Sequence, residues 1–259
     1  MSNSDYLFDQ AWNQERRRLD ALGALYDRFS IEHLTRVGVG RGWSCLEVGA
    51  GSGTIARWMA AEVGADGRVL ATDIDPRFLE PLAGRGVEVR RHDIAADALE
   101  AHAFDVVHAR AVLQHVPGRE RALAKMAAAV RPGKTLLVED IIMPHPATHP
   151  SLPAWGRILD AMTAGLRGAG ANPYYGLELP SAFAALGLRD VRTEARVAVM
   201  QSGTPSIDFV ALSVEQVAAR LIAAGVVSAA EVDEVLTAFR APGMTLTGAI
   251  MIAVSGLAA

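Results

Sequence analysis

Cysteine is almost missing from this sequence of 259 residues, in which Cys45 stands alone. A single cysteine excludes an intramolecular disulfide, and nothing here indicates an oxidising compartment. Long apolar runs are missing too, because the uncharged stretches at 141–156 and 243–259 are shorter than the ~20 residues of a membrane span. The N-terminus carries acidic residues where a signal peptide needs an apolar core. We therefore expect a cytoplasmic protein without a membrane partner.

An excess of positive charge is also lacking. The 25 basic residues are outnumbered by 29 acidic ones, for a net charge of -4, and the longest basic run is Arg16-Arg17-Arg18. Binding to a phosphate backbone requires concentrated positive charge, so we expect no nucleic-acid partner. The 51% of hydrophobic residues can form a buried core, and the length favours one domain, or one domain with a cap.

Short apolar runs alternate with helical segments between residues 43 and 140. Strands are predicted at Ser44–Val48, Arg68–Thr72, Val87–Arg91, Phe104–Ala109 and Thr135–Glu139, and helices at Gly53–Val63, from Pro76, and at Arg119–Val130. This alternation indicates a parallel α/β sheet with helices on both faces. Two more strands are predicted near 191–199 and 245–255, and helices near 180–186, 214–224 and 229–239.

The remaining segments predict a helical cap on that sheet. An apolar stripe at helical spacing predicts helices within residues 5–38, and we expect residues 1–42 to form an N-terminal helical lid. Residues 43–259 would form the main domain, with cap insertions at about 141–177 and 205–241.

The most informative segment is Glu47-Val48-Gly49-Ala50-Gly51-Ser52-Gly53-Thr54, which lies between a predicted strand and a predicted helix. Its glycines allow a sharp turn and a close approach of a ligand to the backbone. The helix start offers free N–H groups. Asp73 follows Gly53 by twenty residues and ends the second predicted strand, where a carboxylate can accept hydrogen bonds from the hydroxyl groups of a ribose. The pattern predicts a nucleotide-type ligand at the carboxyl edge of the sheet.

The glycine spacing is G-x-G-x-G, whereas a dinucleotide fingerprint would place its third glycine at Thr54. The segment resembles motif I of the class I S-adenosylmethionine-dependent methyltransferases. Other segments resemble further motifs of that family: Ala71-Thr72-Asp73-Ile74-Asp75-Pro76, Arg91-His92-Asp93-Ile94, Phe104-Asp105-Val106-Val107-His108-Ala109-Arg110 and Arg131-Pro132-Gly133-Lys134, where Lys134 replaces the usual second glycine. The resemblance is close over residues 43–140.

The resemblance implies a Rossmann-like sheet of seven mostly parallel strands with an antiparallel last strand, and S-adenosylmethionine as cofactor, with S-adenosylhomocysteine as product. It implies that Asp73 binds the ribose, that Ile74 and Ile94 contact the adenine, and that Asp93 binds its amino group. Ala109 and Arg110 would lie beside the methionine part of the cofactor. The remaining cofactor-binding residues implied are those of the loop: Glu47, Gly49, Ala50, Gly51 and Gly53.

Three of these positions have a structural alternative. Asp93 can be a helix cap, which aspartate often is. Arg110 can pair with an acidic group at the surface and not with the cofactor carboxylate. Asp75 is interpreted as the cap of the helix that begins at Pro76.

Catalytic and substrate-binding residues are predicted beside the cofactor. His115 lies just past the fourth strand, and a histidine has a suitable pKa for a general base, although this one can also be a packed or cofactor-contacting histidine. The four-residue spacing of His145 and His149 does not predict a metal site, since Pro146 opposes the helix that it would need. The residues predicted to contact the substrate are Tyr6, Trp12, Arg18, His145, Tyr174 and Tyr175.

The expected activity is methyl transfer to a small molecule in bacterial secondary metabolism, with oxygen the favoured acceptor and nitrogen or carbon as alternatives. A second hypothesis is a protein that binds the cofactor but catalyses a non-methylating cyclisation or rearrangement. A third, a nicotinamide dehydrogenase, is disfavoured by the glycine spacing. Exchange of the N-terminal helix between two copies would give a homodimer.

Overall fold

The computed structural model describes residues 12–143 and 152–259 of the chain, which form two compact units. The sheet unit consists of Asp27–Ile142, Tyr174–Arg196 and Met251–Ala259. The helical unit consists of the described parts of Met1–Tyr26, Met143–Pro173 and Val197–Ile250. The lid role of residues 1–42 stays a prediction.

A seven-stranded sheet organises the fold. The strands are β1 Ser44–Val48, β2 Arg68–Asp73, β3 Glu88–Arg91, β4 Phe104–Arg110, β5 Val130–Ile142, β6 Arg189–Gln201 and β7 Thr245–Leu257. Their order across the sheet is β3-β2-β1-β4-β5-β7-β6. Strands β1 to β5 pair in parallel, whereas hydrogen bonds join the start of β5, at Gly133 and Lys134, to Ala258 after the end of β7. The predicted mixed sheet with an antiparallel last strand is thus confirmed.

The central strands are buried on both faces, which explains their continuous apolar sequences. All five residues of β1 are buried, as are Phe104 to Ala109 of β4. The helices are α1 Glu15–Arg36, α2 Thr54–Val63, α3 Arg119–Ala129, α4 Pro153–Gly168, α5 Leu179–Ala185, α6 Pro205–Ala223 and α7 Ala229–Arg240.

The prediction of a helix that begins at Pro76 is wrong. The chain instead forms two short 3₁₀ turns, Pro76–Phe78 and Glu80–Leu82. Pro81 explains the difference, because proline has no N–H to donate and it clashes with the preceding helical turn. Asp75 does act as a cap, since its carboxylate accepts from the Arg77 N–H.

The two predicted insertions contribute a separate apolar core in the helical unit. Helices α4, α6 and α7 pack against one another, and the rings of Trp155 and Phe239 meet edge to face at 5.2 Å. Tyr26 donates a hydrogen bond of 2.9 Å to the Ala249 carbonyl within the same unit. None of the helices in residues 12–143 and 152–259 combines the length and apolarity needed to cross a bilayer.

Candidate active site

The glycine loop leaves β1 and enters α2 in a backbone conformation that favours glycine. Gly49, Gly51 and Gly53 have φ values of 66°, 57° and 77°. A Cβ at Gly49 would lie 2.3 Å from Cγ2 of Val112, so any side chain there would also overlap the segment that follows β4. The loop therefore packs tightly against its neighbour while its backbone faces the carboxyl edge of the sheet.

Asp73 ties the end of β2 to this loop. Its Oδ2 accepts a hydrogen bond of 2.9 Å from the Gly51 N–H, and its Oδ1 accepts one of 3.0 Å from the Asp75 N–H. Burial raises the pKa of Asp73, while these backbone hydrogen bonds act in the opposite direction. Each carboxylate oxygen can accept a second hydrogen bond, so Asp73 could still bind ribose hydroxyls.

Glu47 presents a buried carboxylate just before the loop. Its Oε2 atom has no hydrogen-bond partner among the described residues, and the side chain is 5% exposed. Burial raises the pKa of Glu47 to about 8, against the opposing charge of Arg110. A buried acceptor that lacks a partner fits a ligand with a cationic group, such as the amino acid end of S-adenosylmethionine.

Asp93 and the two isoleucines follow the neighbouring strands. The carboxylate of Asp93 accepts a hydrogen bond of 2.9 Å from the Ala95 N–H in a turn, and because no helix begins there Asp93 is not the helix cap considered as an alternative. Ile94 is buried and Ile74 is half-buried. Their contact with adenine stays a prediction.

Arg110 does not pair with an acidic group at the surface, which was the alternative to its contact with the cofactor. Its side chain is 10% exposed, and it contacts Asp27 of α1 at 2.9 Å and Ser30 of the same helix at 3.1 Å. Asp27 also accepts a hydrogen bond of 2.9 Å from the Thr54 hydroxyl, at the start of α2. Helix α1 is thereby connected to β4 and to the glycine loop, and Ala109 beside Arg110 is fully buried.

His115 lies on the 3₁₀ turn Leu113–His115 that follows β4. Its Nε2 atom accepts a hydrogen bond of 3.1 Å from the Gln114 side-chain amide in this arrangement. A general base needs that nitrogen lone pair, so Gln114 would have to release it first.

The predicted substrate residues lie in both units. Tyr174 and Tyr175 belong to the sheet unit, where Tyr175 is buried and the Arg119 guanidinium lies 5.6 Å from its ring centre. Trp12 and Arg18 belong to the helical unit, where Arg18 forms a buried, two-pronged ion pair with Glu15. That pair gives Arg18 a structural role. Tyr6 and His145 lie outside the described residues.

Sequence reasoning missed a buried polar network beside Glu47. Glu139 of β5 accepts hydrogen bonds from Ser30 and His33 of α1 and lies 3.3 Å from Nε2 of His108 in β4. Burial acts to raise the pKa of Glu139, but the bonds with His108 and His33 outweigh it and lower the pKa to about 2. The available signal was a histidine in β4 and the adjacent acidic residues Glu139 and Asp140 in β5, each next to apolar residues of a buried strand.

Comparison with known proteins agrees with this site. Residues 46–136 match a family model of the methyltransferase domain. Methyltransferase str2 of Strobilurus tenacellus is 33% identical over 166 residues, which cover 64% of this chain and 60% of that protein. The ubiquinone/menaquinone biosynthesis C-methyltransferase UbiE of Idiomarina loihiensis is 30% identical over 132 residues, covering 48% of this chain and 51% of that protein. The chain thus matches 60% or less of the length of these relatives.

Among solved structures, phosphoethanolamine N-methyltransferase 2 of Haemonchus contortus, in complex with S-adenosyl-L-methionine, superimposes with a TM-score of 0.61 at 17% identity. The match covers 95% of this chain and 58% of that one. At this identity it shows that the two folds are similar. The sheet order and the glycine loop agree with the match of residues 46–136 to the methyltransferase domain.

Proposed function

We propose that this protein binds S-adenosylmethionine and catalyses methyl transfer to a small-molecule acceptor. The observation that carries the proposal is the buried Oε2 of Glu47, which has no partner among the described residues and lies next to the positive-φ glycine loop. In this proposal Glu47 binds the cationic amino group, and Asp73 accepts hydrogen bonds from the ribose hydroxyl groups. The loop backbone permits close approach of the ligand.

When bound, held by Glu47, Asp73 and the loop backbone, the cofactor would supply a methyl group activated by a positively charged sulfur. The residues of the chain have to align the acceptor and exclude water, and alignment alone can lower the barrier by roughly 7–11 kcal/mol. His115 is our proposed base for an acceptor that must lose a proton. Oxygen stays the favoured acceptor atom from the sequence, but the relatives named above include a C-methyltransferase and an N-methyltransferase.

Calorimetric titration of S-adenosylhomocysteine tests cofactor binding. We expect a Kd of about 1–100 µM for the wild type and a loss of at least tenfold for Asp73→Asn, because an amide in place of the carboxylate weakens the acceptor. Asp75→Asn is the matched control, since the Asp75 carboxylate accepts hydrogen bonds from the backbone N–H and the guanidinium of Arg77. Binding that survives Asp73→Asn unchanged, or binding of NAD instead, would contradict the proposal.

Transfer of a labelled methyl group separates the catalytic hypotheses. Incubation with methyl-labelled cofactor and a panel of phenols, alcohols, amines and activated carbon acids should label one acceptor class. Cofactor binding without any label in the panel or in a cell extract would favour the non-methylating alternative. Secondary metabolism and a homodimer stay predictions.

A further inference from the structure

The two edges of the sheet differ in length and in the pairing of their charges. At one edge, β3 has only four residues, and its Glu88 and Arg90 pair with each other and with Arg68 and Glu100, respectively. At the other edge, β6 extends over thirteen residues, and among the described residues no strand lies on its outer side. A long edge strand presents N–H and C=O groups with which another strand can pair.

The part of β6 that belongs to the sheet unit carries a row of charges. They occupy the alternate positions from 190 to 196 and therefore lie on one face of the strand. Their signs alternate as well, in the order Asp190, Arg192, Glu194 and Arg196. The first three line one cavity, which agrees with a shared face. Charges of one sign along an edge oppose pairing with a like strand, whereas alternating charges can complement a second copy of themselves.

Two of these charges are held by helix α1, and two are not paired. Glu194 and Arg196 form ion pairs with side chains of α1. Asp190 and Arg192 are exposed, and neither forms an ion pair with the residues that the structure describes. The strand thus offers one unpaired charge of each sign beside one oriented charge of each sign.

We propose that β6 pairs in antiparallel orientation with β6 of a second copy of this chain, about a two-fold axis at Thr193. An axis perpendicular to the sheet leaves each side chain on its own face, so residues opposite each other differ by an even number of positions. Arg192 of one copy then lies opposite Glu194 of the other, and Asp190 lies opposite Arg196. The symmetry repeats both pairs, and the two sheets become continuous. This inference is independent of cofactor binding.

Charge disfavours the two neighbouring registers. With the axis at residue 192, Asp190 would lie opposite Glu194. With the axis at residue 194, Arg192 would lie opposite Arg196. Like charges directly opposite each other destabilise a strand pair. Only the register between these two places every one of the four charges opposite a charge of the other sign, so electrostatic complementarity selects it.

The other face of β6 and its backbone also permit this register. Val191 would lie opposite Ala195, and the two Thr193 side chains would meet at the axis, where paired threonines are favourable. Asp190 has a φ of 51°, so regular pairing begins at Val191 and the contacts between Asp190 and Arg196 flank it. The paired segment is short and its interface is small, so we expect a weak dimer with a Kd of roughly 10–100 µM.

Sedimentation equilibrium tests the association. The mass of the wild type should rise from 27.5 kDa at about 1 µM toward twice that value at about 200 µM. Arg192→Glu should weaken dimerisation at least tenfold, because it places two carboxylates opposite each other at both symmetric positions. Arg189→Glu is the matched control, since it makes the same change of charge at an exposed position of the same strand. Residue 189 would lie opposite the uncharged Val197, so this variant should dimerise like the wild type.

A mixture of two variants tests the register itself. Glu194→Arg alone should also be a weaker dimer, because it places two guanidinium groups opposite each other. In an equal mixture with Arg192→Glu it should form a heterodimer, since each variant then meets the opposite charge in the other. Amide hydrogen exchange of the wild type is a measurement without substitutions. Exchange within residues 191–195 should be slower at about 200 µM than at about 1 µM.

A wild type that stays monomeric up to about 200 µM, with amide exchange independent of concentration, would overturn the proposal. So would a dimer that Arg192→Glu and Arg189→Glu affect equally, because another surface would then hold it, such as an exchanged N-terminal helix. A mixture that does not associate would contradict the register at Thr193. All these measurements are made without cofactor, so their failure would leave the proposed function intact.

Discussion

At the scale of single residues, buried polar groups carry most of the information about this protein. Glu47, Glu139 and Asp140 are all buried, yet their surroundings move their pKa values in different directions. Glu139 has histidine partners and is ionised, while Glu47 and Asp140 are dominated by desolvation. Three buried carboxyl groups therefore differ in their ionisation, and the residue type alone does not reveal this difference.

Tyr175 allows a direct test of one buried group. Its hydroxyl has no hydrogen-bond partner among the described residues, so Tyr175→Phe should leave the free energy of unfolding unchanged or raise it by up to about 1 kcal/mol. Tyr26→Phe is the control and should lose about 1 kcal/mol, because the Tyr26 hydroxyl donates to Ala249. Urea unfolding measures both. A loss for Tyr175→Phe as large as that of the control would mean that its hydroxyl is paired.

At the scale of elements, the loop between β1 and α2 depends on its contacts as much as on its own conformation. Asp73 accepts from its backbone, Asp27 of α1 accepts from Thr54, and Val112 after β4 fills the space beside Gly49. Segments distant in sequence thus fix the loop from three sides, so that its shape is set before a ligand binds. Such preorganisation reduces the entropy lost on binding.

Gly49→Ala should disrupt this loop through both backbone strain and overlap. The left-handed backbone costs alanine about 1–2 kcal/mol, and the new Cβ would also meet Val112 at 2.3 Å. Gly225→Ala is a matched control, because Gly225 has a similar φ of 69° and open space at its Cβ position. We expect Gly49→Ala to be less stable than Gly225→Ala by about 1 kcal/mol or more, and to bind S-adenosylhomocysteine at least tenfold more weakly.

Thermal or urea unfolding and calorimetric titration measure the two effects. Adding Val112→Ala to Gly49→Ala should recover part of the stability, since it removes the overlapping methyl groups. Equal behaviour of the two glycine variants would contradict the tight packing of the loop.

At the scale of the whole molecule, buried acids determine how stability depends on pH. Burial raises the pKa of Asp140 from its ordinary 3.8 to about 8, so the native state keeps a proton that the unfolded state releases. Stability is then complete below about pH 4 and decreases as the pH rises toward 8. Glu47 acts in the same direction, whereas Glu139 contributes stability that is lost as the pH falls from about 4.5 toward 2.

Asp140→Asn should therefore gain stability relative to the wild type as the pH rises. An amide does not ionise, and its oxygen can still accept from the Gln114 N–H. Urea unfolding at pH 5, 6.5 and 8 should show the difference between variant and wild type growing by up to ~1 kcal/mol per pH unit. The exposed Asp66→Asn is the control and should show a constant difference. A constant difference for Asp140→Asn would mean that this carboxyl is ionised in the native state.

The sequence by itself determined the alternation of strands and helices, because this alternation follows from local periodicity. Contiguous motifs such as the loop at Gly49 carried the resemblance to class I methyltransferases, and that resemblance implied the mixed seven-stranded sheet. The sequence failed locally where a second proline, Pro81, prevented an α-helix after Pro76. It also placed Arg110 at the surface as one alternative, whereas Asp27 pairs with it inside the sheet unit.

Only the tertiary structure decided the partners of the buried polar groups. His33, Glu139 and His108 are separated by 31 to 106 positions, yet they form one series beside Glu47. Hydrogen-bond partners and local dielectric depend on which elements pack together, and no local pattern encodes that packing. The glycine loop can therefore be predicted from its sequence, while the ionisation of the buried groups near it is a property of the assembled sheet and helix.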